Sequence, residues 1–223
     1  MIELDERLSM LYDMVPPCAA AADIGTDHGF LGARLLESGK CERVEFLDIS
    51  EPSLKKAWRL IRRCGLMERA DFTVGDGAAA LKNPADAIVI AGMGAPTISG
   101  IIERGLSRLE HARLILQPNI GVDLLRADLM RMGFVICDEM IVRAGGRFYV
   151  AMAAERGQAA YTEKELLAGP VLFEKRPADF AGYVQFRLRV QRKAYVGAVK
   201  GEAENAEALA HEIALWEEIE QCL

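Results

Sequence analysis

AADIGTDHGFL, at residues 21–31, is the most informative segment for predicting the fold. A short apolar run, AAADI at 20–24, leads into a turn at Gly25 and then into a helical pattern. Glycine at this turn allows the backbone to approach a ligand closely. The turn lacks both G-x-G-x-x-G and GK[ST], which makes dinucleotides and nucleoside triphosphates weaker candidates than another cofactor. An ordinary tight turn between a strand and a helix is the alternative.

Further apolar runs follow this segment at regular intervals. Each predicts a strand that is covered on both faces, as in a parallel sheet. They are VEFLDI (44–49), ADFTV (70–74), AIVIA (87–91) and RLILQ (113–117). Helices are predicted between them at 51–64, after 92–95 and at 122–132, with Ser50 as an N-cap and Gly65 as a stop signal. This alternation predicts a doubly wound, Rossmann-like α/β fold.

The chain on either side of these runs adds a helix and a hairpin. Apolar residues at helical spacing predict a helix over 3–15, which Pro16-Pro17 ends. FVICDEMIV and RFYVAMAAE flank the glycine pair 145–146 and predict an antiparallel hairpin. A parallel sheet that ends in such a hairpin is typical of class I methyltransferases.

The pattern changes after about residue 157. We expect residues 1–157 to form the Rossmann-like domain and residues 158–223 to form a helical, coiled-coil-like C-terminal domain. A short helix or linker is predicted at 160–170, and longer helices at 177–199 and 202–222. Two helices joined by a short turn should pack antiparallel.

Composition limits the class of protein. The net charge of −6 argues against nucleic-acid binding driven by overall charge, although a local basic face remains compatible with it. We expect no membrane partner, because no stretch approaches the roughly 20 apolar residues of a span. Charged residues at the start of the chain argue against a signal peptide.

The cysteines and histidines point to reduced thiols and no metal. The five cysteines are scattered without a C-x-x-C pair, which predicts free thiols and a cytoplasmic protein. The three histidines, His28, His111 and His211, lack the spacing of metal ligands. No motif determines the oligomeric state, for which a monomer is the expectation.

Acidic residues follow the second and third predicted strands. Asp48 lies about 20 residues beyond the glycine turn, where a carboxylate can accept hydrogen bonds from ribose hydroxyls. Asp76 and Gly77 follow the next strand, where an acid can accept from an adenine amino group. Each has a simpler alternative, a helix-flanking acid or a turn. Their order along one sheet edge predicts a nucleoside-bearing cofactor, and S-adenosylmethionine fits better than NAD.

Two further segments are predicted at the same edge. IAGMGA follows the fourth strand at 90–95, and QPNIG follows the fifth at 117–121. Small glycines leave room for a flat acceptor or for the methionine portion of the cofactor. Two ordinary strand-to-helix turns are the alternative.

These motifs together resemble one family. ADIGTDHGFL, GDGAAAL, IVIAGMGAPTI, LILQPNIG, the GGRFYV hairpin and the N-terminal LDERLSMLYDMVP are similar to the bacterial tRNA (adenine-22) N1-methyltransferases over roughly residues 3–157. The resemblance implies methyl transfer from S-adenosyl-L-methionine to ring nitrogen 1 of an adenine in tRNA.

The resemblance also implies roles for individual residues. Asp27 would be the carboxylate near the acceptor base, with helix capping as its competing role, and Asn119 would also take part in catalysis. Cofactor binding would fall to Asp23, Gly25, His28, Asp48, Ile49, Asp76, Gly77, Ala91, Gly92, Met93 and Gly94.

Basic residues supply candidates for RNA contact. Arg7 is one, with a solvated arginine as the alternative. Another is the acid-free segment with Arg187, Arg189, Arg192 and Lys193, which could instead pair with the Glu-rich helix that follows it. Five basic residues over 55–63 suggest either a third candidate or only a solvent face. The competing functions are a methyltransferase for another acceptor and a non-catalytic cofactor-binding protein.

Overall fold

A computed structural model of the protein describes residues 2–223. The chain folds into two compact units, of which the first ends at Ala159 and the second spans Ala160–Leu223. The sequence places the boundary after residue 157, two residues earlier.

Within the described residues, the first unit is built on a seven-stranded sheet of order β3-β2-β1-β4-β5-β7-β6. The strands β1 to β5 pair in parallel, whereas β7 pairs antiparallel with both β5 and β6. The strands are β1 (Cys18–Ile24), β2 (Cys41–Asp48), β3 (Ala70–Val74), β4 (Ala87–Gly94), β5 (Arg113–Ile120), β6 (Phe134–Ala144) and β7 (Arg147–Arg156). This topology confirms the Rossmann-like fold with an antiparallel hairpin.

The helices of the first unit alternate with the strands. They are α1 (Glu6–Met14), α2 (Phe30–Glu37), α3 (Glu51–Arg63), α4 (Ala95–Arg104) and α5 (Val122–Arg131). Ser50 caps α3 as predicted, because its side chain accepts a hydrogen bond from the backbone N–H of Ser53 at 3.3 Å. Asp5 caps α1 in the same way through the N–H of Leu8.

The hairpin and α1 complete the first unit. Gly145 and Gly146 both have positive φ, at 55° and 77°, which is the backbone of a tight two-residue hairpin turn. Helix α1 buries Met10, Leu11 and Met14 in the same apolar core as the sheet residues. Burial of this face holds α1 against the sheet and places its first turn near the carboxyl ends of the strands.

Strands β4 and β5 are longer than their apolar runs predict. The sequence ends them at residues 91 and 117, but pairing continues to Gly94 and Ile120. The register shifts between Ala91 and Met93, so a bulge absorbs the extra residue. The segments expected to be loops after these strands are therefore partly held within the sheet.

The second unit contains α6 (Glu163–Ala168), α7 (Pro170–Lys175), α8 (Phe180–Lys200) and α9 (Ala206–Gln221). Helix α7 is absent from the sequence prediction, which ends the preceding element at residue 170. The predicted antiparallel pairing of α8 and α9 is confirmed, because Tyr183 near the start of α8 packs edge-on against Trp216 near the end of α9. Among residues 2–223, no helix combines the length and hydrophobicity needed to cross a membrane.

A buried ion pair connects α5 to the hairpin. Arg126 Nε lies 2.8 Å from Glu139 Oε1, and both side chains are fully buried. Arg126→Met should lower the free energy of unfolding by about 3–5 kcal/mol, because it removes the cation from beside a buried carboxylate. Urea denaturation followed by circular dichroism measures this change.

The double variant Arg126→Met/Glu139→Leu is the control for this pair. It should recover most of the loss, because neither charge then remains buried. Equal stability of the wild type and the single variant would contradict the role assigned to the pair.

Candidate functional site

The strand order reverses between β1 and β4, and a cavity lies at the carboxyl ends of these strands. Open α/β sheets bind ligands at this kind of switch point. The cavity has a volume of about 280 Å³. Its lining residues come from α1, the end of β1, the loop into α2 and the bulge of β4: Arg7, Leu8, Leu11, Asp23, Gly25, Thr26, Asp27, His28, Gly29, Phe30, Leu31, Ala91 and Gly92.

Gly25 sets the shape of this cavity. Its φ is +76°, and a Cβ atom there would lie 2.1 Å from Cε of Met93. Any other residue would be strained by this positive φ and would displace the end of the Met93 side chain. The N–H of Gly25 also donates to the carbonyl of Leu47 at 2.8 Å, which ties the loop to β2.

Asp23 is a buried carboxylate in the cavity wall. Only 8% of the residue is exposed, and its Oδ2 accepts a hydrogen bond of 2.6 Å from Thr26 Oγ1. Burial raises the pKa of Asp23 to about 6, and the bond from Thr26 opposes part of that rise. A carboxylate deprived of water in this way favours a cationic ligand.

Asp48 ties two loops together at the end of β2. Its Oδ1 accepts from the N–H of Ser50 at 2.7 Å, and its Oδ2 accepts from the N–H of Asp27 at 3.4 Å. An ionised carboxylate has about four acceptor positions, so both oxygens can still accept from ribose hydroxyls. The next residue, Ile49, is 73% exposed and offers an apolar surface beside them.

Asp76 lies at the end of β3, the neighbour of β2 in the sheet. Its Oδ1 forms an exposed ion pair of 3.0 Å with Arg104 of α4. Asp48 and Asp76 therefore follow adjacent strand ends, as their order in the sequence predicts. Both lie outside the residues that line the cavity.

Asp27 lies at the rim of the cavity, where it has a positive φ of 42°. Its Oδ1 lies 2.8 Å from Lys56 Nζ, and its Oδ2 lies 3.4 Å from His28 Nε2. The alternative role of Asp27 as a helix cap is wrong, because α2 begins at Phe30 and its N-cap is Gly29 in the left-handed conformation. The carboxylate is instead half-exposed at the cavity entrance.

A chain of hydrogen-bonded polar side chains links the cavity-lining residues Arg7 and Gly92. Arg7 Nη1 donates to Gln117 Oε1 at 2.9 Å, and Gln117 Nε2 donates to Asn119 Oδ1 at 3.2 Å. Asn119 Nδ2 then donates to the carbonyl of Gly92 at 2.6 Å. This chain joins α1, β5 and the bulge of β4, and a contact between Arg7 and RNA stays a prediction.

Sequence reasoning gave three residues no role in this site. Gln117 is fully buried, Thr26 bonds to Asp23, and Lys56 pairs with Asp27. A polar side chain that ends an apolar strand, such as Gln117, is the signal that could have identified the first of them. The other two depend on contacts that the sequence does not reveal.

Comparison with known proteins identifies the family. The family model described as a methyltransferase domain matches residues 4–152. The tRNA (adenine(22)-N(1))-methyltransferase of Bacillus subtilis is 34% identical over 187 residues, which cover 80% of this chain and 79% of that protein. The chain belongs to the tRNA (adenine(22)-N(1))-methyltransferase family.

Solved structures agree with this family. The crystal structure of the B. subtilis m1A22 tRNA methyltransferase TrmK matches with a TM-score of 0.89 and 28% identity, covering 99% of this chain and 100% of that one. The Streptococcus pneumoniae protein Sp1610, solved with S-adenosyl-L-methionine, matches with a TM-score of 0.89 and 29% identity, covering 98% and 100%.

The site residues of this methyltransferase family member fit an adenosine-bearing sulfonium. Asp48 and Asp76 supply acceptors at adjacent strand ends, and Ile49 supplies an apolar face. Gly25 lines the cavity without a side chain, and Asp23 places a desolvated negative charge in its wall. Among residues 2–223, no group of three or more His, Cys, Asp or Glu side chains could hold a metal ion.

The basic segment of α8 divides into paired and unpaired residues. Arg187 lies 3.3 Å from Glu212, and Arg192 lies 2.8 Å from Glu217, so both pair with α9. Arg189 lies over the ring of Phe186, and Lys193 is exposed. RNA contact by this segment therefore stays a prediction that depends mainly on Arg189 and Lys193.

Burial of the Asp23 carboxylate should lower the free energy of unfolding at neutral pH when no ligand is bound. Because its folded pKa lies above the ordinary 3.8, the protonated form stabilises the fold below about pH 4, and this contribution is lost as pH rises through about 6. Asp23→Asn should therefore raise the free energy of unfolding at pH 7 by up to roughly 3 kcal/mol. Urea titrations at pH 4 and pH 7 measure the difference.

The same substitution should weaken the binding of S-adenosyl-L-methionine, because it removes a negative charge from the cavity. Thr26→Val is the control, since it deletes the hydrogen bond but keeps the carboxylate. If Asp23→Asn changes stability equally at pH 4 and pH 7, the ionisation of Asp23 is not the cause.

Proposed function

We propose that the protein transfers the methyl group of S-adenosyl-L-methionine to ring nitrogen 1 of adenine 22 in tRNA. The observation that supports this most is the cavity at the switch point, which is lined by Asp23 and Gly25 and has Asp48 hydrogen-bonded to the neighbouring loop at Asp27, in a chain of this family. The cofactor supplies a methyl group on a positively charged sulfur. The residues of this chain have to hold it and align the acceptor with it.

The proposed cofactor contacts follow the strand ends. Asp48 accepts from the ribose hydroxyls, and Asp76 accepts from the adenine amino group. Asp23 offers negative charge to the cationic methionine portion, and the glycines of the β4 bulge leave space for it. His28, Ala91 and Met93 complete the proposed binding surface.

The acceptor needs alignment more than proton removal. Ring nitrogen 1 of adenine has an in-plane lone pair and no proton at neutral pH, so no strong base is needed to activate it. The ring gains positive charge as it is methylated, and a carboxylate at the entrance stabilises that charge. Asp27 is the proposed carboxylate, and Asn119, whose amide is held by Gln117 and Gly92, positions the wall beside it.

The tRNA has to present a base that is stacked in its folded form. The base must be turned out into the cavity while phosphate contacts hold the RNA. Arg7, Arg189 and Lys193 are proposed for such contacts. A tRNA substrate and free cysteines fit a cytoplasmic location.

Methyl transfer to tRNA tests the function directly. Purified protein, labelled S-adenosyl-L-methionine and unmodified tRNA should yield 1-methyladenosine at position 22, found by nuclease digestion and mass analysis. A tRNA with guanine at position 22 is the control and should stay unlabelled. Cofactor binding without any transfer to tRNA would instead favour another acceptor or a non-catalytic binding protein.

Asp27→Ala tests the proposed role of the entrance carboxylate. The variant should lower kcat about 100-fold, because it removes charge stabilisation at the reacting base. Its affinity for S-adenosyl-L-methionine should change less than about threefold, since Asp23, Asp48 and Asp76 are the acidic residues proposed to bind the cofactor. Steady-state kinetics and calorimetry measure the two quantities.

Asp27→Asn separates charge from shape. It should lose as much activity as Asp27→Ala, because the amide keeps the size but not the charge. Stability should change little in both variants, since exposed ion pairs contribute at most about 1 kcal/mol. Wild-type kcat in either variant would exclude the role.

A further inference from the structure

A shallow hollow lies beside the cofactor cavity, between α3 and the start of α2. We name it the α3 hollow; it has a volume of about 190 Å³. It is lined by His28, Phe30, Lys56, Arg59, Leu60 and Arg63. His28 and Phe30 also line the cofactor cavity, so the two depressions share a wall. A ligand that fills the cavity and extends past this wall enters the α3 hollow.

Helix α3 concentrates positive charge in a protein of net charge −6. Lys55 pairs with Glu51, and Lys56 pairs with Asp27. Among the described residues, no carboxylate lies within ion-pair distance of Arg59 or Arg63. These two arginines are four residues apart on one face of the helix, where like charges destabilise it. Their exposed, unneutralised charges suit an anionic ligand.

An exposed aromatic stack borders the same hollow. The rings of His28 and Phe30 lie 5.7 Å apart at an interplanar angle of 22°, and 42% of Phe30 is exposed. Aromatic faces beside guanidinium groups are typical of surfaces that bind unpaired nucleotides. A phosphate ligand alone would not need this stack, so the combination favours RNA.

The basic segment of α8 provides an internal comparison. Arg187 and Arg192 there are neutralised by Glu212 and Glu217 of α9. The arginines that face the α3 hollow have no such acids. Arg189 and Lys193 of α8 stay exposed, as Arg59 and Arg63 of α3 do, so the α3 hollow differs from the α8 segment mainly by its aromatic stack and by the wall that it shares with the cofactor cavity.

We propose that the α3 hollow binds the tRNA strand that adjoins the target adenine, an inference that rests on the proposed function. Arg59 and Arg63 contact phosphates, and Phe30 stacks on a neighbouring base. Contacts at this position hold the strand while the target base occupies the cavity on the other side of the His28–Phe30 wall.

The double variant Arg59→Gln/Arg63→Gln tests the phosphate contacts. It should weaken tRNA binding at least tenfold near physiological salt and reduce the slope of log K against log[salt] by about 1.4 to 1.8, as expected for two lost contacts. Its affinity for S-adenosyl-L-methionine should equal that of the wild type. Fluorescence anisotropy with labelled tRNA over a range of salt concentrations measures both effects.

The matched control is Lys82→Gln/Arg108→Gln, which changes net charge equally. Both residues are exposed and precede β4 and β5, so they lie toward the opposite edge of the sheet. This variant should bind and methylate tRNA within about twofold of the wild type.

Substitutions of Phe30 test the stacking contact. Phe30→Leu keeps an apolar side chain without a ring and should raise the KM for tRNA about fivefold or more, whereas Phe30→Tyr keeps the ring and should stay near the wild type. Similar KM values for both variants would exclude stacking on Phe30.

The outcomes separate this proposal from the function on which it rests. A wild-type protein that fails to methylate tRNA contradicts the proposed function itself. If the wild type is active and Arg59→Gln/Arg63→Gln matches its control in affinity and salt slope, only the α3 proposal is overturned. That result would indicate that Arg59 and Arg63 of the α3 hollow do not contact tRNA.

Discussion

The close approach of the β1 loop to β4 is the constraint on which the site depends. At Gly25 the backbone has a positive φ and leaves no room for a Cβ atom against Met93. This contact brings the loop with Asp27 and His28 beside the bulge at Gly92, where the strand order reverses. Any other residue at Gly25 would strain this backbone and displace the Met93 side chain.

The buried carboxylates of Glu139 and Asp23 have different surroundings. Glu139 is buried beside Arg126, so its charge is compensated inside the fold. Asp23 is buried, and its carboxylate accepts a hydrogen bond from the hydroxyl of Thr26. Desolvation outweighs that bond and raises the pKa of Asp23 to about 6. The first arrangement serves structure. The second keeps a desolvated negative charge in the cavity, where a cation can compensate it.

Pairing, more than composition, separates the two basic segments. Both have several arginines and lysines within one helix, and the sequence alone marks α8 as the more basic because no acid interrupts it. In the folded chain Arg187 and Arg192 pair with glutamates of α9, which leaves Arg189 and Lys193 exposed in α8, whereas in α3 the exposed Arg59 and Arg63 lie beside an aromatic stack. Local charge density is therefore a weak guide to RNA contact until the partners of each charge are known.

Features that depend on residues close together in the chain could be predicted from the sequence. Apolar runs predicted the strands, Ser50 predicted a helix start, and the glycine pair predicted the hairpin, because each is set by local backbone preference and burial. The folded chain was needed to find the extension of β4 and β5, the hydrogen bond from Arg7 to Gln117 and the pairing of Lys56 with Asp27. Arg7 and Gln117 are 110 positions apart, and the register between strands and the packing of helices brings such residues together. No local pattern encodes that distance.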